Sequence, residues 1–158
     1  MAIDRKKIKE NKMDIAEIED ANERFRAYEK YGFTKEAMQD EDYYIRLRAY
    51  ENLVYTKEAL EDEYWRIRLG TYEKYGYTKE ALNDENWYIR LRAYENLGFT
   101  KEAMNDKHRR VRFEAYETLG YTKEALKDEN ATIRQKAEEY SQISNILKTK
   151  QKESKNGY

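Results

Sequence analysis

Thr34, Thr56, Thr78, Thr100 and Thr122 stand 22 residues apart, and Asp40, Asp62, Asp84, Asp106 and Asp128 keep the same step. Arg24, Arg46, Arg68, Arg90, Arg112 and Arg134 repeat at that interval as well. A fixed period of this size restricts the chain to a stacked array, in which each unit buries its apolar face against its neighbours and no central core is needed. The expectation is an all-α chain, an α-solenoid of about six 22-residue two-helix repeats. Residues 11–32 form a degenerate cap repeat, followed by 33–54, 55–76, 77–98, 99–120 and 121–142. Together they make a single domain over residues 1–142, with 143–158 as a helix extension and Lys-rich tail.

The unit 77–98, YTKEALNDENWYIRLRAYENLG, shows how one repeat is built. Thr78 is placed to N-cap a very short helix, KEALN, whose Ala81 and Leu82 point inward. Asp84 is placed to cap a second helix from about Glu85 to Leu97, and Gly98 stands where a left-handed C-terminal residue belongs. Val54 replaces that Gly in the second unit, so that junction is expected to close differently. At about 100° per residue, Trp87, Ile89, Leu91, Ala93, Tyr94 and Leu97 cover an arc of roughly 200°, which describes a helix flanked on both sides. Gln135 and Glu138 stand where earlier units carry Leu or Phe and Tyr, as a water-facing end requires. The last helix is expected to run through Ile146 and Leu147 before a disordered end, and residues 1 to about 10 form a basic lead-in.

Composition narrows function mainly by exclusion. With 31 Lys+Arg against 32 Asp+Glu, no overall field draws polyanions or anionic membranes. The absence of Cys removes disulfides, thiolate catalysis and thiolate-bound zinc. No stretch reaches the roughly 20 apolar residues of a transmembrane helix, and the charged N-terminus lacks a leader's apolar segment. A cytoplasmic location without membrane contact is expected. Abundant Lys, Glu, Asn, Tyr and Ile fit an AT-rich genome, bacterial or phage.

The D-x5-R start of each long helix, its apolar pattern, the terminal Gly and the short A-L helix resemble HEAT-like repeats, and still more the leucine-rich-variant repeats. Asp40/Arg46, Asp62/Arg68, Asp84/Arg90, Asp106/Arg112 and Asp128/Arg134 carry this resemblance, with Ile45, Ile67, Ile89, Val111 and Ile133 before each Arg. It covers about residues 20 to 140 and implies a right-handed helical solenoid used mainly for binding. Asp84 and Arg90 do not share a helix face, so each buried Arg is expected to pair with an acid of a neighbouring unit. The resulting ladder sets the stacking register. Tyr28, Tyr50, Tyr72, Tyr94 and Tyr116 read as core, with Phe33, Tyr55, Tyr77, Phe99 and Tyr121 at the inter-helix turns.

The outward arc holds the candidate partner-binding residues. Tyr44, Arg66, Tyr88 and Arg110 share one register position, and Arg48 and Arg92 lie one turn on. Tyr and Arg are enriched at binding hot spots. Gly70 beside Trp65 and Arg66 would leave a notch for a partner's side chain or a small ligand. No cofactor, metal or catalytic residue is implied, since His108 is the only histidine and no phosphate loop appears. The reading is a non-enzymatic scaffold for a protein partner, and in a phage or mobile element it would serve as an inhibitor that occludes a host protein. The alternative is a nucleic-acid binder using the same Arg and Tyr with Lys148, Lys150, Lys152 and Lys155, although Glu51, Glu73, Glu95 and Glu117 on that face would repel phosphates.

Overall fold

A computed structural model describes residues 15–155, with side chains through residue 151. The expected basic lead-in, the first residues of the cap repeat and the side chains of Lys152 and Lys155 lie outside the described residues. Among those described, every regular element is helical. None of the helices is long and apolar enough to cross a membrane.

The chain divides into two compact units at Gly76 and Tyr77, which is also a repeat boundary. In the first unit, the helices Ala21–Tyr31, Tyr43–Asn52 and Trp65–Tyr75 alternate with 3-10 turns at Ile15–Glu17, Glu36–Gln39 and Lys57–Glu61. In the second, the 3-10 turn Lys79–Asn83 precedes the helix Trp87–Leu97, and the short helix Thr100–Ala103 precedes Arg109–Leu119. The 3-10 turn Ala125–Lys127 then leads into the long helix Ala131–Lys155.

Alanine sets the spacing inside each repeat. Ala37 and Ala59 on the short turns of the first unit are buried, as are Ala81, Ala103 and Ala125 in the second. Facing them on the long helices are Ala27, Ala49, Ala93, Ala115 and Ala137, all buried. A larger side chain at these contacts would hold the short turn off the helix. Thr71 is the exception; it is fully buried, and its added hydroxyl is satisfied by donating to the Ile67 carbonyl at 2.9 Å. Ile45 and Ile67 fill the first unit between Tyr28 and Tyr50, while Leu91 and Val111, then Tyr116 and Ile133, form successive cores in the second.

The helix starts differ from the expected capping. Thr78 makes no side-chain cap bond. Its carbonyl instead accepts the Ala81 N–H at 3.1 Å, as Thr34, Thr56 and Thr122 do for Ala37, Ala59 and Ala125. A segment this short closes with i to i+3 bonds rather than full α turns. Asp84 does not cap the long helix either: its Oδ1 accepts the Asn86 N–H at 2.8 Å, and Asn86 then accepts from Tyr88 at 2.9 Å. The helix therefore begins at Trp87, two residues later than the sequence pattern suggests. Asp42 and Asn130 cap in the same way, whereas Tyr64 and His108 at that position make no side-chain cap bond.

At the other end Gly98 adopts φ 75°, ψ 21°, the expected left-handed conformation. Val54 stands where the other units carry Gly, and a β-branched residue disfavours positive φ; the helix before it ends one residue early at Asn52, with Leu53 at φ −99°, ψ −88°. Leu53 and Val54 are left exposed. The final helix continues to Lys155 rather than ending near Leu147. Lys, Gln and Glu are good helix formers, and no Pro or Gly interrupts them before Gly157.

Candidate partner-binding face

The candidate residues lie on helices that each carry a buried Arg. In the first unit, Arg24 Nε and Nη2 donate to both carboxylate oxygens of Asp40 at 3.0 Å, and Arg46 grips Asp62 at 2.9 and 3.0 Å. In the second, Arg90 holds Asp106 and Arg112 holds Asp128 in the same two-pronged way. Nη1 of Arg24, Arg46 and Arg90 turns back to carbonyls at the start of its own helix, such as those of Asp84 and Glu85 for Arg90. The pairing joins one repeat to the next within each unit, as the ladder reading requires. Burial pushes the Asp106 carboxyl up, but donation from Arg90 and from the His108 N–H, with the guanidinium charge, outweighs it and holds the group below its ordinary value. Asp128 behaves likewise beside Arg112 and the Asn130 N–H.

Arg134 keeps the backbone half of this arrangement, donating to the carbonyls of Asp128 and Glu129 at 2.6 and 2.8 Å. No acid among the described residues pairs with its fork. The residue 22 positions before Asp40 is Ile18, so the first repeat carries no carboxylate at the register position that would accept such an Arg from another copy.

On the outward face of the first unit Tyr44 is 48% exposed, with its ring 5.2 Å from that of Phe25. Arg66 is exposed, its guanidinium 5.4 Å from the Trp65 ring. Arg48 is half-buried and paired with Glu51 at 2.7 Å. In the second unit Tyr88 is 36% exposed and meets Trp87 edge-on, while Arg110 lies 5.7 Å over the same indole. Arg92 pairs with Glu95 at 2.7 Å, repeating the Arg48 arrangement.

The notch expected at Gly70 is filled from within. A Cβ there would stand 2.6 Å from the Tyr55 ring, and Tyr55 itself stacks on Tyr50 with centroids 5.6 Å apart. Gly70 thus admits the turn aromatic of its own unit. A groove of about 540 Å³ lies elsewhere on that turn face, lined by Met38, Tyr50, Leu53, Val54, Lys35 and Thr56.

Two residues absent from the sequence-based set join the face in the second unit. His108 stacks on Trp87 with centroids 4.9 Å apart and planes within 10°. Burial, together with the nearby Arg90 charge, lowers the His108 pKa and favours the neutral ring. Tyr43 and Tyr64 make the corresponding pair in the first unit, at 4.1 Å. Both pairs are 21 residues apart, one short of the repeat, because the residue opening one helix meets the residue capping the next. That offset is the signal by which they could have been found. Beside Arg110 a cleft of about 300 Å³ is lined by Arg109, Phe113, Glu114, Asn130, Thr132 and Ile133, a mixture of cationic, acidic and apolar walls. Among the described residues no group of three or more His, Asp or Glu could hold a metal ion.

Comparison with protein-family models, curated proteins and solved structures finds no match for this chain.

Proposed function

We propose that this chain is a non-enzymatic helical-repeat scaffold, a solenoid of the kind its HEAT-like and leucine-rich-variant resemblance implies, that binds a protein partner through the faces carrying Tyr44 and Arg66 and carrying Tyr88 and Arg110. The observation that supports this most is the local balance of charge around exposed aromatics. Arg48 and Arg92 are each neutralised by a Glu three residues on, and Arg66 and Arg110 spread over indole rings. Such a face gives up flat apolar area and directional donors to a protein. A phosphate backbone would meet Glu51 and Glu95 instead. Anchoring of Tyr44 on Phe25 and of Tyr88 on Trp87 lowers the entropy lost on docking. A phage or mobile-element protein of this form would act by covering a host protein's surface.

The test is a Tyr44→Ala/Tyr88→Ala chain, compared with the parent for thermal melting and for retention of the partner recovered by affinity purification. It should melt within a few degrees of the parent and lose that partner. Undiminished affinity would move the site to the turn face beside Leu53 and Val54. Single-stranded DNA and RNA provide the opposing arm, since binding that falls steeply with salt would favour nucleic acid.

A further inference from the structure

The helix Ala131–Lys155 leaves its own core part-way along its length. Ile133 and Ala137 are buried against Tyr116 and Ala125, and Tyr140 rests on Tyr121 with ring centroids 6.0 Å apart. Beyond Tyr140 every described side chain except Ser144 is exposed. Three of these are large aliphatics: Ile143, Ile146 and Leu147 are 58%, 56% and 55% exposed. At about 100° per residue they fall on one side of the helix together with Tyr140. A solvated helical stretch of roughly 12–15 residues is marginal in water unless another surface covers its apolar side.

The charges beside this stripe indicate which surface that is. Glu139 and Lys150 lie on the same side as Ile143 and Ile146, one toward each end. Residue numbers 139 and 150 share a midpoint with 143 and 146, between Ser144 and Asn145. A two-fold axis through that midpoint, perpendicular to the helix, brings Ile143 against Ile146 of a second copy and Glu139 against its Lys150. A parallel pairing would set Glu139 against Glu139 and Lys150 against Lys150. Self-complementarity about a two-fold axis is what an isologous dimer requires.

We infer that the exposed end of this helix is an antiparallel homodimerisation surface, with Ile143, Ile146 and Leu147 as its seam and Glu139 and Lys150 fixing its direction. With Tyr140, itself 50% exposed, these side chains offer on the order of 400 Å² per copy, about half of what a standard interface buries on each partner. A contact of that size makes the dimer weak and reversible. Among the described residues Glu139 accepts from exposed Gln135 and Lys136, contacts that a partner's Lys150 can replace at little cost.

Sedimentation velocity of the full chain over about 5 to 500 μM tests this. The parent should pass from monomer to dimer, and Ile143→Ser/Ile146→Ser should stay monomeric with unchanged circular dichroism up to the thermal transition. Glu139→Lys alone and Lys150→Glu alone should each weaken dimerisation about tenfold, and their combination in one chain should restore it. A parent that remains monomeric throughout overturns the inference. So does a dimer indifferent to both single reversals, which is the parallel outcome, and so does binding of the stripe to anionic phospholipid vesicles without self-association.

Discussion

Arg90 places four hydrogen bonds on Asp106 and on its own helix start: Nε and Nη2 reach the two carboxylate oxygens at 2.8 and 2.7 Å, and Nη1 reaches the Asp84 and Glu85 carbonyls at 2.8 and 2.9 Å. Both side chains are almost wholly buried, at 4% and 3% exposure. Taking two charges out of water is costly, and the pair is tolerable because nearly every donor and acceptor is used. Arg90 therefore joins one repeat to the next and closes the open backbone at the start of its own helix. A Lys could not replace it, having no planar fork to share between the two tasks.

Arg90→Met should destabilise the protein by about 3–5 kcal/mol, because it strands the Asp106 carboxylate in a buried site. Pairing it with Asp106→Leu should recover much of that loss, leaving about 1 kcal/mol for the unsatisfied His108 N–H. Urea midpoints of the two singles and the double give the coupling. A loss below about 0.5 kcal/mol for Arg90→Met would contradict the buried pairing.

Stability should also fall in acid. Asp106 and Asp128 have folded pKa values below their ordinary ones, so the unfolded chain binds more protons as pH drops through the carboxylate range. The stabilisation from these two groups is complete above the unfolded value of about 3.9 and is lost as pH falls from there through the folded values. Urea midpoints taken between pH 6 and pH 2.5 should show this decline, and Asp106→Asn should flatten part of it. An unchanged slope in that variant would remove Asp106 as a source.

Helix propensity alone predicts that Gly70→Ala adds about 1 kcal/mol of stability. The position of Tyr55 reverses that expectation: the new methyl would press on a ring stacked on Tyr50, in a residue whose backbone is tied down by the Tyr75 hydroxyl donating to the Tyr55 carbonyl. Gly70→Ala should lower the melting temperature. In a Tyr55→Leu background the same substitution should raise it, because the obstructing ring is gone. Stabilisation in both backgrounds would show that Tyr55 does not occupy the space.

The sequence made the repeat, the Arg to Asp pairing and the inward Tyr positions legible because each recurs at one spacing and each has a single burial-compatible role. Tyr28 and Tyr116 are buried as the helical wheel requires, and the junction at Val54 closes differently from the others, its helix ending at Asn52 with Leu53 at φ −99° as the C-cap. What remained hidden depended on distances between segments. Thr78 looks like a cap because Ser and Thr generally cap, yet its hydroxyl is drawn to Glu80 and holds that carboxyl below its ordinary value. The Gly70 notch could not be seen to be filled without knowing where the Tyr55 ring goes. Trp87 packs partly against the Leu91 and Val111 core, as its angle on the wheel requires, but its stacking on His108 is a contact between segments that the wheel cannot show.

Deleting residues 99–120 should leave a folded, shorter protein. In the parent, Arg90 reaches an Asp 16 residues on. Removing one 22-residue period brings Asp128 to that same separation from Arg90, with Asn130 after it to accept and cap as the next helix begins. Ala125 replaces Ala103 beneath the helix Trp87–Leu97, and Ile133 replaces Val111, so the new contact has the same residue classes as the old. Removing only residues 99–109 keeps Asp128 in the chain but out of phase, which buries Arg90 without an acid and turns apolar positions toward water. Circular dichroism and thermal melting of the two deletion variants decide the matter: the 22-residue deletion should retain a cooperative transition and the 11-residue deletion should not. Equal loss from both would mean that neighbouring repeats do not present interchangeable faces.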